Sequence, residues 1–291
     1  MLDRLDKLVD QYTQIIVRPY RSKYDEKQII QIIGSEFEGH RIQKETIIDS
    51  YSDEINGTMV FSKQENDTCV IFCHGNGQNQ TSVMMISEDV IAHGYNLFAF
   101  DMPGCGRSKK EFITFGYSEP QTVFDISTHL QKQYGFRKII LWGYSFGAHV
   151  CLSAASQFSG FSAVIADSPY TSIKAFIAQF CQDSLKSLGV SFETFYERVR
   201  QNIIQNYRYD IDPVDLIPKV QNIQIPVIMI HGQKDTTCNV QMGHEIFEKI
   251  GTDQKNIIIV PKMVHNHYLP QDITNQVFSQ LSGFGFSLND C

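Results

Sequence analysis

The residues best placed to do chemistry in this chain are a serine, an aspartate and a histidine far apart in sequence. The serine lies in Gly143-Tyr144-Ser145-Phe146-Gly147, directly after the apolar run Ile139-Ile140-Leu141-Trp142 and directly before a segment with helical spacing. A serine on so tight a strand-to-helix turn, a nucleophile elbow, presents its hydroxyl above the helix N-terminus. The positions two before and two after it approach so closely that only small residues fit. The pentapeptide alone is weak, since composition would produce G-x-S-x-G in a chain of this length about one time in ten. Its place between a buried strand and a helix gives it weight. A serine hydroxyl is a poor nucleophile at neutral pH and needs a base that is itself oriented by an acid. In a parallel sheet such partners sit on loops at the carboxyl ends of later strands. Asp235 follows the apolar run Pro226 to His231, and His265 follows Asn256 to Val260, so the order is Ser, Asp, His. His267 lies in the same loop as His265 and competes with it as the base; His265 is the preferred choice.

Attack on an acyl carbonyl also needs donors for the oxyanion, and backbone N–H groups are the usual supply. Phe146, next after the serine, should provide one. Asn76, in His74-Gly75-Asn76-Gly77 at the end of an early buried run, should provide the other, with Gly77 as second choice. The glycine spacing there matches neither a dinucleotide fingerprint nor a P-loop. The pair His265-x-His267 has no third ligand at metal-site spacing, so neither a metal nor a cofactor is expected. His149, one turn into the helix after Ser145, cannot fold back onto that hydroxyl. His40, His93, His129 and His244 read as surface or core residues.

The elements that must position these groups alternate regularly. Strands are predicted at 57–62, 68–74, 96–101, 138–144, 162–168, 225–231 and 256–261. Helices are predicted at 81–93, 119–134, 145–157, 239–250 and 270–282. Such alternation means a mostly parallel sheet covered by helices on both faces. The stretch 170–224 is too long for one crossover helix. It carries two apolar faces, one through Phe176, Ile177, Phe180, Leu185 and Leu188 and the next through Phe192, Phe195, Tyr196, Val199 and Ile203. It reads as a small helical cap inserted between two strands, extra core helices being the alternative. Residues 1–44 are expected to form a helical and extended segment packed on a domain of residues 45–291. Leu2, Leu5, Leu8, Val9, Tyr12, Ile15 and Ile16 give its helix an apolar face with acidic residues between them, which suits packing on the domain better than lying on a membrane surface.

Lys and Arg total 25 against 32 Asp and Glu, a net charge of -7, and no basic run is present, so nucleic acid is an unexpected partner. A small-molecule or acylated substrate is the expected one. The longest apolar runs are strand-sized, far short of the roughly 20 residues that span a bilayer. No signal peptide or lipid-anchor motif is seen, a peripheral membrane contact stays open, and the expected compartment is the cytoplasm. The seven cysteines are scattered and odd in number, and read as reduced thiols.

Taken together, HGNG, Asp101-Met102-Pro103-Gly104-Cys105-Gly106-Arg107-Ser108, GYSFG, Asp167-Ser168-Pro169-Tyr170, HGQKD and the late histidine resemble an α/β-hydrolase. They are similar in particular to the branch of monoacylglycerol-lipase-like, serine-aminopeptidase-like and depalmitoylase-like serine hydrolases. The segment Arg18 to Tyr24 resembles one found ahead of the core in protist members. The resemblance implies the α/β-hydrolase fold and a cofactor-free serine hydrolase working through an acyl-enzyme, with Ser145 as nucleophile, His265 as base and Asp235 as orienting acid. Two departures stand out. Val264 occupies a place where relatives carry glycine, and no cysteine precedes Cys69, where depalmitoylating relatives carry a cluster for membrane attachment. An ester or thioester substrate is ranked first and a peptide second. A non-catalytic binding protein on the same fold, and haloperoxidase or C–C cleavage chemistry, are the other readings.

Overall fold

The computed structural model describes residues 2–25, 39–265 and 268–286. Eight strands form one sheet: β1 (Ile42–Ile48), β2 (Glu54–Val60), β3 (Thr68–Cys73), β4 (Asn96–Phe100), β5 (Lys138–Tyr144), β6 (Ala163–Asp167), β7 (Val227–Gly232) and β8 (Lys255–Val260). Their order is β1-β2-β4-β3-β5-β6-β7-β8. The pairs β1·β2 and β2·β4 are antiparallel and the other five are parallel.

The parallel strands are apolar on both sides because helices cover both faces. Phe72, Ile140, Trp142, Ile165 and Ile228 point to one face, where they pack with α2 (Ser87–Ala92) and α8 (Gln271–Leu281). Ile71, Ile139, Leu141, Val164 and Met229 point to the other, against α3 (Glu119–Tyr134), α4 (Phe146–Gln157) and α7 (Val240–Lys249). Register brings the carboxyl ends level: Cys73 pairs with Gly143, Tyr144 with Asp167, and Asp167 with Ile230. Loops leaving β3, β5, β6 and β7 therefore meet at one rim.

Between β6 and β7 run α5 (Ile173–Leu188) and α6 (Phe192–Tyr207), started by Ser172 and Ser191, whose hydroxyls accept the N–H of Ala175 and Thr194. The N-terminal helix α1 (Leu2–Val17) buries Leu5, Val9, Ile16 and Val17. It packs on α6: Tyr12 meets Phe195 edge-on at 5.2 Å, Arg198 pairs with Asp6 at 2.5 Å, and Asn202 donates to Asp10 at 2.9 Å.

The expected bounds 119–134 and 138–144 coincide with α3 and β5. Three differences stand out. Strand β1 was not anticipated: its sequence IQKETII carries two charges and lies at the sheet edge with only Ile47 fully buried, and it crosses the 44/45 boundary. Strand β2 begins three residues earlier than expected, at Glu54. The expected helix 81–93 is broken at Ile86 (φ -134°, ψ -10°) into a 3-10 segment, Gln80–Met85, and the short α2. Among the described residues no helix is long and apolar enough to cross a membrane.

Candidate active site

Ser145 links β5 to α4 with φ 51° and ψ -113°, outside the regions that L-residues favour. The surroundings hold it there. Its N–H donates to Asp167 O at 2.8 Å, and its carbonyl accepts the His149 N–H at 3.1 Å. A Cβ on Gly147 would lie 1.9 Å from Cys73 O, and one on Gly143 would lie 2.3 Å from Gly147 O, so both flanking glycines are required by close backbone contact. The hydroxyl itself belongs to a residue only 8% exposed.

His265, on the loop after β8, brings Nε2 to 2.9 Å from Ser145 Oγ, and its Nδ1 lies 2.6 Å from Asp235 Oδ2. With Nδ1–H donating to the carboxylate, Nε2 carries the lone pair that accepts the hydrogen bond of the Ser145 hydroxyl. The other carboxylate oxygen of Asp235 accepts the N–H groups of Thr237 at 2.8 Å and Cys238 at 2.9 Å. Burial alone would raise this carboxyl, but the His265 hydrogen bond and charge, with those two N–H groups, outweigh it and hold it below its ordinary value. Asp235 is thus kept ionised beneath the imidazole. Of the residues singled out from sequence, Ser145, Asp235 and His265 come together; His267 lies outside the described residues.

The N–H of Phe146 stands at the first helical position of α4, where no intrahelical acceptor exists. Asn76 and Gly77 lie in the turn between β3 and the 3-10 segment, and this turn starts where Cys73 O and His74 O press on Gly147. His149 is accounted for as packing: it stacks on Tyr170 at 4.2 Å, its Nδ1–H donates to Tyr170 O at 3.0 Å, and burial lowers its pKa to about 3. Among the described residues no group of three or more His, Cys, Asp or Glu side chains is placed to hold a metal ion.

Two neighbours of this arrangement stand in motifs noted in the sequence but were given no role there. Asp167, at the end of β6, is fully enclosed, and burial raises its pKa to about 7 against the Ser168 hydroxyl bond at 2.8 Å and attraction to His265. It lines a small cavity with Tyr144, Trp142 and Leu269 whose volume of about 10 Å³ holds about one water. His231, at the end of β7, donates Nε2–H to Cys238 O at 2.7 Å and so props the turn that supplies two N–H groups to Asp235. The position of both at strand ends on the same rim is the signal that would have found them. A groove of about 590 Å³ lies between α1 and α6, lined by residues such as Asp10 and Gln201, and none of the candidate site residues lines it.

Comparison with known proteins agrees with the architecture. Residues 68–202 match the family described as alpha/beta hydrolase fold. A mimivirus protein, L404 of Acanthamoeba polyphaga mimivirus, described as an alpha/beta hydrolase, is 23% identical over 213 residues, 72% of this chain and 70% of its own. The lysophosphatidylserine lipase ABHD12 of Danio rerio is 21% identical over 197 residues, 64% of this chain; the aligned stretch spans 48% of that protein. The esterase Pf2001 of Pyrococcus furiosus superposes with a TM-score of 0.73 at 18% identity, covering 91% of this chain and 97% of its own. With its sheet order, its elbow after β5 and these likenesses, the chain has the α/β-hydrolase fold.

Proposed function

We propose that the protein is a serine hydrolase that cleaves a carboxylic ester or thioester through an acyl-enzyme. The observation that carries this reading is the unbroken relay Ser145 Oγ, His265, Asp235 at 2.9 and 2.6 Å. Ser145 Oγ attacks the acyl carbonyl while His265 Nε2 takes its proton. The Phe146 and Asn76 N–H groups hold the oxyanion, and the protonated His265 then delivers its proton to the leaving alkoxide or thiolate. Water, deprotonated by the same imidazole, releases the acid and restores the serine. Asp235 keeps Nδ1 protonated throughout and offsets the imidazolium charge.

An apolar acyl group is favoured over a charged peptide by the rings that lead away from the elbow. Phe146 packs on Phe115 at 5.4 Å, Phe115 on Phe176 of α5 at 5.6 Å, and Phe176 on Phe180 at 5.2 Å, where Phe180 is 49% exposed. We read α5 and α6 as a cap over this aromatic path. The names of the esterase and lipase relatives point the same way. A fluorophosphonate probe should label wild type at Ser145 and leave Ser145→Ala unlabelled, and medium-chain p-nitrophenyl esters should be cleaved faster than aminoacyl amides. An unlabelled, folded wild type would refute serine catalysis, and preference for the amides would make the enzyme a peptidase.

A further inference from the structure

Residues 20–24, which follow α1, lie along the turn that carries Asn76. That turn is held from within by His74: Nε2 accepts the Met102 N–H at 3.0 Å and Nδ1–H donates to Gly75 O at 2.8 Å, with burial keeping the imidazole neutral. It is held from outside by the segment. Ser22 N–H donates to Gly77 O at 3.2 Å, and Asn79 Nδ2 donates to Ser22 Oγ at 3.2 Å. Tyr20 O lies so close over Gly77 (φ +71°) that a Cβ there would be 2.7 Å away. Tyr24 OH donates to Asp101 Oδ2 at 2.6 Å and accepts from Gln80 Nε2 at 2.7 Å, while Gln80 N–H donates to Asp101 Oδ1 at 2.8 Å.

Arg21 anchors the segment without an acid. Its guanidinium donates to Gly106 O at 2.9 Å, Cys105 O at 3.2 Å, Lys110 O at 3.3 Å and Ser108 O, four carbonyls of the loop after β4. A planar fork with fixed donor directions suits this task, and a lysine ammonium could not span it. Oxyanion donors act only when they stand about 2.7–3.1 Å from the position the oxygen will take, and the glycines at 75 and 77 leave this turn soft on its own.

We propose that the strap Arg21–Tyr24 is a positioning element for the oxyanion turn, setting turnover rather than substrate affinity; this rests on the reading of Ser145 as nucleophile. Through α1, docked on α6, the same stretch of chain also joins that turn to the insertion. The test uses the full chain carrying Arg21→Ala, Ser22→Pro, which removes the N–H to Gly77, and Ser22→Ala, which keeps it. Hydrolysis of p-nitrophenyl butyrate and inhibition by an alkyl trifluoromethyl ketone, which mimics the tetrahedral state, are measured together. Loss of a whole donor costs about 10² to 10³ in kcat; loosening one should cost about tenfold in Arg21→Ala and Ser22→Pro. KM should stay within about twofold, and the ketone should weaken by the factor lost in kcat/KM. Ser22→Ala, which keeps the N–H to Gly77 and loses only the hydrogen bond from Asn79, should lose less than Ser22→Pro. Folded Arg21→Ala and Ser22→Pro proteins with wild-type kcat and ketone affinity, or a change in KM alone, would overturn the proposal. Should Arg21→Ala fail to fold, Ser22→Pro and Tyr24→Phe carry the comparison. A wild type that the fluorophosphonate does not label removes the reading of the site and this proposal with it. A labelled wild type with unaffected variants removes the strap proposal alone.

Discussion

Replacing Asp167 by Asn tests the electrostatics of the rim directly, because the amide keeps the size and the acceptor for Ser168 Oγ but cannot ionise. Burial raises this carboxyl to about 7 from 3.8, so between those values the unfolded chain has released a proton that the folded chain still holds. The folded state then binds more protons, and stability must fall as pH rises. At 1.36 kcal/mol per pKa unit the cost to wild type is about 1.5 kcal/mol at pH 5, about 3 at pH 6 and about 4 above pH 7.5. The enclosure of Asp167 leaves little solvent to screen the effect. Urea unfolding of wild type and Asp167→Asn at pH 5 and pH 7.5 should therefore show the variant gaining about 2.5 kcal/mol relative to wild type over that interval. Any fixed difference in packing cancels in the comparison. Parallel pH dependences, within about 0.5 kcal/mol, would refute the reasoning and mean that Asp167 titrates at an ordinary carboxylate pH.

Two further outcomes follow from distances at the site. Asp235→Asn should lower kcat about 10⁴-fold in ester hydrolysis with the fold retained by circular dichroism, because an amide nitrogen or oxygen facing His265 no longer fixes the Nδ1–H tautomer; a loss under about tenfold would remove Asp235 from the relay. Gly147→Ala places a methyl 1.9 Å from Cys73 O, and since both sides are backbone neither can yield. The cost should be about 3 kcal/mol or more in urea unfolding, and near-wild-type stability would show that β3 and α4 are less tightly apposed.

Much of this was legible because the signals were local. The run Lys138 to Tyr144 is apolar without interruption and closed by the elbow, and Glu119 to Tyr134 has helical spacing ended by Gly135 at φ +75°. Ser145, Asp235 and His265 could be named because each follows a buried strand, and strand ends share a rim in a parallel sheet. What could not be read depends on contacts between distant segments. Strand β1, with Gln43, Lys44 and Glu45, pairs with β2 alone and has no periodicity that sets it apart from a loop. Ile86 breaks a helix whose residues favour continuing, because Gln80 is held by Asp101 and Asn79 caps the 3-10 segment. Nothing in Arg18 to Tyr24 announces that Arg21 binds four carbonyls more than 80 positions away, since its partners are main-chain groups with no side-chain signature.

The backbone at residue 145 sets a direction for change over generations. With φ at 51° and ψ at -113°, the position suits glycine better than any residue bearing a β-carbon. A lineage that kept this scaffold for adhesion or sensing alone would feel no pull toward the hydroxyl, and mutational drift would settle on the residue that relaxes the turn. Serine at this spot is held uphill, and a descendant with glycine there would be expected to be sturdier and silent.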